Sequence, residues 1–413
     1  MRGMRYVIIG NSTAAVGCVE GIRKVDREGE IVLIASEPHH TYARPLISYL
    51  LLGRTDEEHM KYRPDSFYEE NGVQAHLGTT VERVDAETKT VYTNKGDAIA
   101  YDKLLLATGS RPFVPPMEGL DTVEKKFSFM TLDDAHALDE ALTPESRVLI
   151  VGAGLIGLKC AEGILHRVGH IQVIDLAPRI LPSILDEAGS TLVQANLENQ
   201  GIEMKLATTV KSFSGSHAVL TDGSECDFDV LVLAVGVRAN MDLAAGIGAK
   251  IGRGIVVDEE GKTTVSDVFA AGDCTETRDI TSDTVHVMAI LPNAYLQGEA
   301  AGFAMAGSYR PFTNAIPMNA IGFFHQHMIT AGSYEGEALV WQEGENYKKL
   351  VIRDGKLVGF ILIGDVARAG IYTSLIRNQT PLSEVDFEKL KDHPQLLAFS
   401  GEVRGQKLGG VPR

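Results

Sequence analysis

The sequence predicts an α/β protein in which two βαβ halves, each opening on a glycine-rich turn, are followed by a smaller α+β domain. Three observations carry this. The stretch "VGAGLIGLKCAEG" at 151–163 follows a short apolar run and spaces Gly152, Gly154 and Gly157 as G-x-G-x-x-G. Near the beginning, "IIGNSTAAVGC" repeats that plan in degenerate form. After about residue 313 the pattern changes to apolar runs separated by tight-turn signals, as in "NYKKLVIRDGKLVGFILIG" with Asp354 and Gly355 at its centre.

Taken in order, Tyr6 to Ile9 form a strand, a glycine turn follows, and a helix runs to about Val25. A second strand, "EIVLIAS", leads to Glu37, so a βαβ unit closes on an acid. "KTVYTN" and "YDKLLLATGSRP" read as further strands, and the proline-rich "RPFVPPMEG" at 111–119 reads as a linker. From Arg147 to Asp175 the βαβ plan recurs, and "FDVLVLAVGVRAN" matches "YDKLLLATGSRP" in the second half. In the last domain "ARAGIYTSLIRNQT" reads as a helix, "TPLSEVDFEKLKDHP" as a shorter one, and the last dozen residues as a mobile tail. The single Trp341 is expected in the core or an interface of this domain.

The bulk numbers exclude several classes. A chain of 413 residues exceeds one core and fits two or three domains. A formal charge of -16 argues against nucleic acid or an anionic membrane surface as a partner, since both need clustered Lys and Arg. No apolar run approaches the roughly 18 residues of a membrane helix. "MRGMRYVIIG" enters a strand without room for a signal peptide, which places the expected location in the cytoplasm. Cys18, Cys160, Cys226 and Cys274 form no C-x-x-C pair, against a zinc ribbon, an iron–sulfur cluster or a local redox disulfide. Cys18 and Cys160 fall in the helices after the glycine turns and read as buried packing residues. His39, His40, His325 and His327 raise a metal reading, with "HQH" on a strand putting two rings on one face, but no further ligand accompanies them and no metal is expected.

The chemistry of the central motif follows from its spacing. The first glycine allows a tight turn, the second lets backbone approach a pyrophosphate, and the third lets helix and strand pack closely. The helix then presents free N–H groups to phosphate. Ala161 keeps the helix near the sheet. Asp175 ends the second strand, where a carboxylate accepts from ribose hydroxyls and repels a 2′-phosphate, favouring NADH over NADPH. In the N-terminal copy Gly10 is kept, Ser12 and Ala15 replace the second and third glycines, and Glu37 is the ribose acid.

Further motifs complete the pattern. They are "TTVSDVFAAGDCTE" at 263–276, a strand ending in A-x-G-D; "ATGSRP" at 107–112; "AVGVRAN" at 234–240; and "LPNAYLQGEAAG" at 291–302. With these in order, the chain resembles the FAD/NAD(P)-dependent pyridine nucleotide oxidoreductase family over roughly residues 4–312. The resemblance implies a glutathione-reductase-like fold with two Rossmann-like dinucleotide-binding domains plus a C-terminal α+β domain. It implies an FAD-binding domain at 1–115 and 241–312, an NAD(H)-binding domain at 116–240, and a partner-docking or interface domain at 313–413. It carries FAD contacts to Gly10, Asn11, Ser12, Ala14, Ala15, Glu37, Pro38, Arg44, Pro45, Val81, Ala107, Thr108, Gly109, Arg111, Gly272, Asp273, Pro292 and Asn293. Among these Asp273 would hold the ribityl–phosphate region, and the helix starting at Pro292 would face the flavin pyrimidine and stabilise negative charge there. NAD(H) contacts fall on Gly152, Gly154, Ile156, Gly157, Asp175, Leu176, Val235 and Gly236.

Two departures refine the expectation. Many members of the family carry a redox cysteine after the first ribose acid, whereas "HHTYARPLISYLLLG" has none. "Y-x-R-P-x-x-S" instead resembles the branch that reduces rubredoxin and other iron–sulfur proteins, and the flavin part of the nitrite reductase large subunit. Hydride is thus expected to pass between NADH and FAD, and single electrons between FAD and an iron–sulfur protein: a rubredoxin, a ferredoxin or the iron–sulfur subunit of a larger complex. The alternatives are an NADH oxidase using oxygen directly and a non-catalytic flavin-binding subunit. The protein is expected as a homo-oligomer or a complex subunit. Second, members of the family often carry a Glu at the position of Lys159, which in some pairs with a Lys at that of Tyr49, and both partners are replaced. Lys159 is therefore the candidate catalytic residue, raising the flavin potential from a place near flavin and nicotinamide. An ordinary lysine on an exposed helix face is the competing reading.

Overall fold

The computed structural model describes residues 3–408. The tail read as mobile begins as a helix, Gly401–Leu408, and its last five residues lie outside the described ones. The chain divides into two compact units: Met1–Pro178, Gly201–Arg278 and Val285–Thr313 in the first, Arg179–Gln200, Asp279–Thr284 and Asn314–Arg413 in the second.

The first unit holds two parallel five-stranded sheets. One runs Val268–Ala270, Lys103–Leu106, Arg5–Ile9, Glu30–Ala35, Val73–Leu77. Its inner strands are apolar after their first residue because both faces are covered, whereas the edge strand Val73–Leu77 carries the exposed Gln74 and the half-buried His76. Tyr6, Ile8 and Leu33 pack with Val16, Val19 and Ile22 of the helix Thr13–Arg23, whereas Val7, Ile9 and Val32 pack with Val91 and Ala249. Ile9 lies level with both Ile34 and Leu106, so the strands end together and the glycine turn opens at that edge.

Helix Thr13–Arg23 lies against helix Leu291–Met305, and glycines let them touch at backbone distance. A Cβ at Gly298 would fall 1.9 Å from the Ala14 carbonyl oxygen, one at Gly302 2.3 Å from that of Cys18. Gly17 and Gly21 meet the Tyr295 and Glu299 carbonyls in the same way, at 2.3 and 2.5 Å. On both helices the glycines stand four residues apart, hence on one face.

The second sheet repeats the plan as Ile202–Lys205, His170–Ile174, Arg147–Val151, Val230–Leu233, Lys126–Phe127. The two segments read as counterparts pair with each other: Ser110–Pro112 runs antiparallel to Val237–Ala239.

The second unit is built on an antiparallel sheet ordered Met318–Phe323, Gln326–Gly332, Lys356–Ile363, Asn346–Arg353, Glu337–Glu343. Asp354 (φ +50°) and Gly355 (φ +69°) form its two-residue left-handed turn, the geometry that matches strand twist. Helix Glu187–Asn199 belongs here, although its sequence lies inside the stretch read as the NAD(H)-binding domain. Asp186 explains the attachment: it caps that helix at Gly189 N (3.0 Å) and accepts from Tyr347 Oη (2.7 Å) and Lys349 Nζ (2.9 Å). Trp341 stands half-buried on the edge strand, with Lys348 Nζ 4.7 Å from its ring centroid. One local expectation is corrected. His325 sits in a turn after Phe324 (φ +56°) and only His327 is on the strand, so "HQH" does not align two rings. Among the described residues no helix is long and apolar enough to cross a membrane.

Candidate functional site

At the C-terminal edge of the first sheet lies a cleft of about 610 Å³, within the range that holds organic cofactors. Its floor is the glycine turn. Gly10 has φ +123°, and a Cβ there would lie 2.2 Å from the Ala107 carbonyl oxygen, so only glycine fits. Ser12 is the N-cap of helix Thr13–Arg23 and makes no side-chain capping bond, leaving that helix end facing the cleft. Leu291 and Ala294, from the start of the helix Leu291–Met305, line it from another side.

The charged groups of the cleft hold one another. Glu37 accepts from Tyr42 Oη at 2.7 Å and from the Arg44 guanidinium, which also donates to the Met130 carbonyl at 3.2 Å. Tyr42 Oη accepts in turn from Leu132 N at 3.0 Å. Arg44 is held above its ordinary pKa by Tyr42, Glu37 and Asp273 against its own desolvation. Burial pushes Asp273 up to about 6, with Arg44 opposing. Thr108 and Asn240 exchange two hydrogen bonds, Oγ1 to carbonyl at 2.7 Å and Nδ2 to carbonyl at 2.8 Å. Arg111 is exposed and pairs with Asp242 at 2.8 Å.

Of the residues expected to hold FAD, Gly10, Asn11, Ser12, Ala14, Glu37, Arg44, Val81, Ala107, Thr108, Gly109, Arg111, Gly272 and Asp273 line this cleft. Ala15, Pro38, Pro45, Pro292 and Asn293 do not: Ala15 is fully buried under the helix, and Asn293 is buried with its Nδ2 on Met288 Sδ. The Asn11 side chain is a staple, bridging the His39 carbonyl (3.1 Å) and Tyr68 Oη (2.8 Å). Sequence reasoning missed Thr79, Thr80, Met130 and Thr131 in the lining, and His39 and His40, which it weighed only as metal ligands. Thr131 was legible: "TLDD" is a capping box, and Thr131 caps the helix Leu132–Ala141. His40 Nε2 is buried without a hydrogen-bond partner while Nδ1 faces the Thr41 carbonyl at 3.2 Å. A polar ligand fits that orphaned atom, and the helix end and Gly10 turn fit a pyrophosphate.

At the edge of the second sheet the three glycines take separate roles. Gly152 has φ +119°, and a Cβ there would meet the Ala234 carbonyl oxygen at 2.3 Å; at Gly157 it would meet the Gly152 carbonyl oxygen at 2.0 Å. At Gly154, the N-cap of helix Leu155–Ile164, it would meet nothing within 4 Å. The first and third glycines thus serve packing and the second leaves room for phosphate. Asp175 accepts from Ala153 N at 2.6 Å and Ala177 N at 2.7 Å, fixing the carboxylate beside the turn. Leu176 is 70 % exposed next to it, Gly236 (φ +116°) opens onto free space with Val235 beside it, and Ile156 is half-buried in the first helical turn. None of these residues lines the first cleft.

Lys159 is not on an exposed face. It is 9 % exposed and forms an ion pair with Glu162, itself 1 % exposed, one turn along the same helix. Its Nζ lies 4.2 Å from the centroid of the Tyr49 ring, carried by the short helix Ile47–Leu51 after Arg44 and Pro45. The contact between the 159 and 49 positions is therefore kept with its charges rearranged, and Glu162, absent from the sequence reading, is the counter-charge.

Comparison with known proteins agrees with this geometry. Residues 4–298 match the family described as pyridine nucleotide-disulphide oxidoreductase, and residues 317–380 match the rubredoxin NAD+ reductase C-terminal domain. The chain belongs to the pyridine nucleotide-disulphide oxidoreductase family, and is an oxidoreductase that uses FAD and NAD(H). It is 30% identical over 392 residues to the NADH-dependent phenylglyoxylate dehydrogenase subunit epsilon of Aromatoleum evansii, covering 92% of this chain and 93% of that one. It is 32% identical to the nitrite reductase [NAD(P)H] of Bacillus subtilis over 92% of this chain but 48% of that protein, about half its length. Among solved structures, the covalent putidaredoxin reductase–putidaredoxin complex superimposes with a TM-score of 0.87 at 23% identity, over 96% of this chain and 98% of that one, a likeness of fold.

Proposed function

We propose that the protein is an NADH-dependent flavoprotein reductase whose electrons leave to an iron–sulfur protein. The observation that carries this is a cleft lined without a single cysteine in a family named for disulphide chemistry. Cys18, Cys160 and Cys274 are buried and burial raises their thiols, so no thiolate is poised to take electrons from a cofactor in the cleft. An external acceptor is then needed. The rubredoxin-reductase type of C-terminal domain supports an iron–sulfur partner, whether a rubredoxin, a ferredoxin or a subunit of a larger assembly.

The residues divide the work. Gly10, Ser12 and the helix end after them would hold the FAD pyrophosphate. Asp273, Arg44 and Glu37 would orient its polar chain, and the start of helix Leu291–Met305 would stabilise negative charge at the ring. Bound FAD supplies the exchange between a two-electron hydride from NADH and single electrons for the partner. Gly152, Gly154 and Gly157 would seat the NADH pyrophosphate, and Asp175 its ribose, with repulsion against a 2′-phosphate. Lys159, held by Glu162 and Tyr49, acts as a positioning residue that sets the flavin potential. Residues 1–115 and 241–312 serve FAD, 116–240 serve NAD(H), and 313–413 the partner. The unpaired cysteines fit a cytoplasmic protein, and it would act as a homo-oligomer or complex subunit.

The test is anaerobic titration of the flavin-loaded protein with NADH and then NADPH, followed by addition of an oxidised rubredoxin or ferredoxin. NADH should bleach the flavin and NADPH should not, and the iron–sulfur protein should restore the flavin colour by becoming reduced. Reoxidation by oxygen but by no iron–sulfur protein would replace this reading with an oxidase. In Lys159→Met the flavin midpoint potential should fall while flavin content stays; an unchanged potential would reduce Lys159 to packing.

A further inference from the structure

Helix Ala369–Arg377 in the second unit buries Tyr372, Leu375 and Ile376 against the antiparallel sheet. Another face, through Gly370, Ser374 and Arg377 to Asn378, lines a groove of about 370 Å³ whose far wall is Met318 and Ile329 of the first hairpin. The volume lies at the lower end of small-molecule sites. All of the residues lining this groove belong to the second unit, and none of them lines the flavin cleft.

Arg377 makes the groove unusual. Its Nε is buried and has no hydrogen-bond partner among the described residues, and Nη2 reaches Met318 Sδ, at 3.8 Å. Desolvation holds the guanidinium below the ordinary arginine pKa, and among the described residues no carboxylate offsets this. Carbonyls of the last helical turn offer a fraction of a charge but leave Nε unsatisfied. A half-buried cation with no counter-ion among the described residues carries a desolvation cost that an anionic ligand would offset. The fork of guanidinium donors matches a planar carboxylate, Ser374 and Asn378 flank it, and Met318 and Ile329 suit an apolar body.

We propose that this groove is a second ligand site, separate from the dinucleotide sites, that takes a small organic carboxylate with its charge on Arg377 and its apolar body on Met318 and Ile329. The inference does not depend on the identity of the electron acceptor.

The test is calorimetric titration of the full-length, flavin-loaded protein with benzoate, with benzamide as the uncharged isostere and inorganic phosphate as the bare anion. Saturable benzoate binding is expected, with benzamide and phosphate each at least about tenfold weaker. Arg377→Met should lose benzoate by a similar factor. Asn378→Asp, which sets a carboxylate beside an intact Arg377, should lose it too, so the result does not hang on one variant's folding. Equal benzoate binding by parent and both variants, or none by the parent, would overturn the proposal. Phosphate as good as benzoate would overturn the organic-ligand part. Sedimentation of parent and Arg377→Met should give one mass; a smaller assembly for the variant, with no benzoate bound by the parent, would mean a second copy covers the groove.

Discussion

Asp273 shows how one residue couples cofactor site and stability. An unfolded aspartate titrates near 3.9, and burial pushes this one up to about 6. Below about pH 4 it is protonated in both states and costs nothing. Between about pH 4 and 6 the unfolded chain has released this proton while the folded protein still holds it, so stability falls across that window and levels off above 6. Asp273→Asn should remove the loss: the deflavinated variant should gain about 2–3 kcal/mol over the parent at pH 8 and match it near pH 4. Urea melts of the two deflavinated proteins from pH 4 to 8 measure this, and parallel profiles would disprove it. The same variant should hold FAD more weakly, since one of the two acceptor oxygens becomes a donor and the negative charge near Arg44 is lost.

At the scale of elements, the helix pair behind the cleft is where packing is least forgiving. Gly298→Ala would place a methyl 1.9 Å from the Ala14 carbonyl oxygen, on backbone that cannot rotate away. The helices must separate, at about 2–3 kcal/mol, although Gly→Ala inside a helix is ordinarily favourable by about 1 kcal/mol. Gly246→Ala, at the end of helix Asp242–Gly246 with nothing within 4 Å, should be neutral or better. Denaturant midpoints and FAD content of the two variants would separate close contact from generic helix propensity; equal effects would sink the packing argument. These elements also mark what the sequence disclosed. The G-x-G-x-x-G turn and the Asp354-Gly355 hairpin were readable because local backbone demands select particular residues; "YDKLLLATGSRP" and "FDVLVLAVGVRAN" were readable as counterparts, but not that 110–112 and 237–239 pair as strands. "GCVEG" and "GEAAG" carried the helix contact in plain sight, but one sequence does not say which helix meets which. The Tyr42–Glu37–Arg44 group, the attachment of Glu187–Asn199 through Asp186, and the Lys159–Glu162 pair depend on side chains brought together by tertiary structure. Glu37 and Lys159 were identified as important; the approach of Lys159 to Tyr49 was legible from the resemblance, but Glu162 as its counter-charge and the partners of Glu37 were not.

For the whole molecule, the division into two units predicts how ligands distribute stability. Every residue lining the cleft proposed for the flavin lies in the first unit, and every residue lining the Arg377 groove lies in the second. A ligand that binds only the folded form stabilises by RT ln(1 + [L]/Kd), about 4 kcal/mol at a thousandfold excess over Kd. That energy acts on openings that destroy the site and on no others. Adding FAD to the deflavinated protein should therefore slow amide exchange strongly in Arg5–Ile9, Glu30–Ala35, Lys103–Leu106 and the helix Leu291–Met305. The strands Asn346–Arg353 and Lys356–Ile363 should change little. Hydrogen exchange read by mass spectrometry on peptides from both units measures the contrast directly. Equal slowing everywhere would mean that the chain opens as one cooperative body, and that a ligand at either site would be felt at the other.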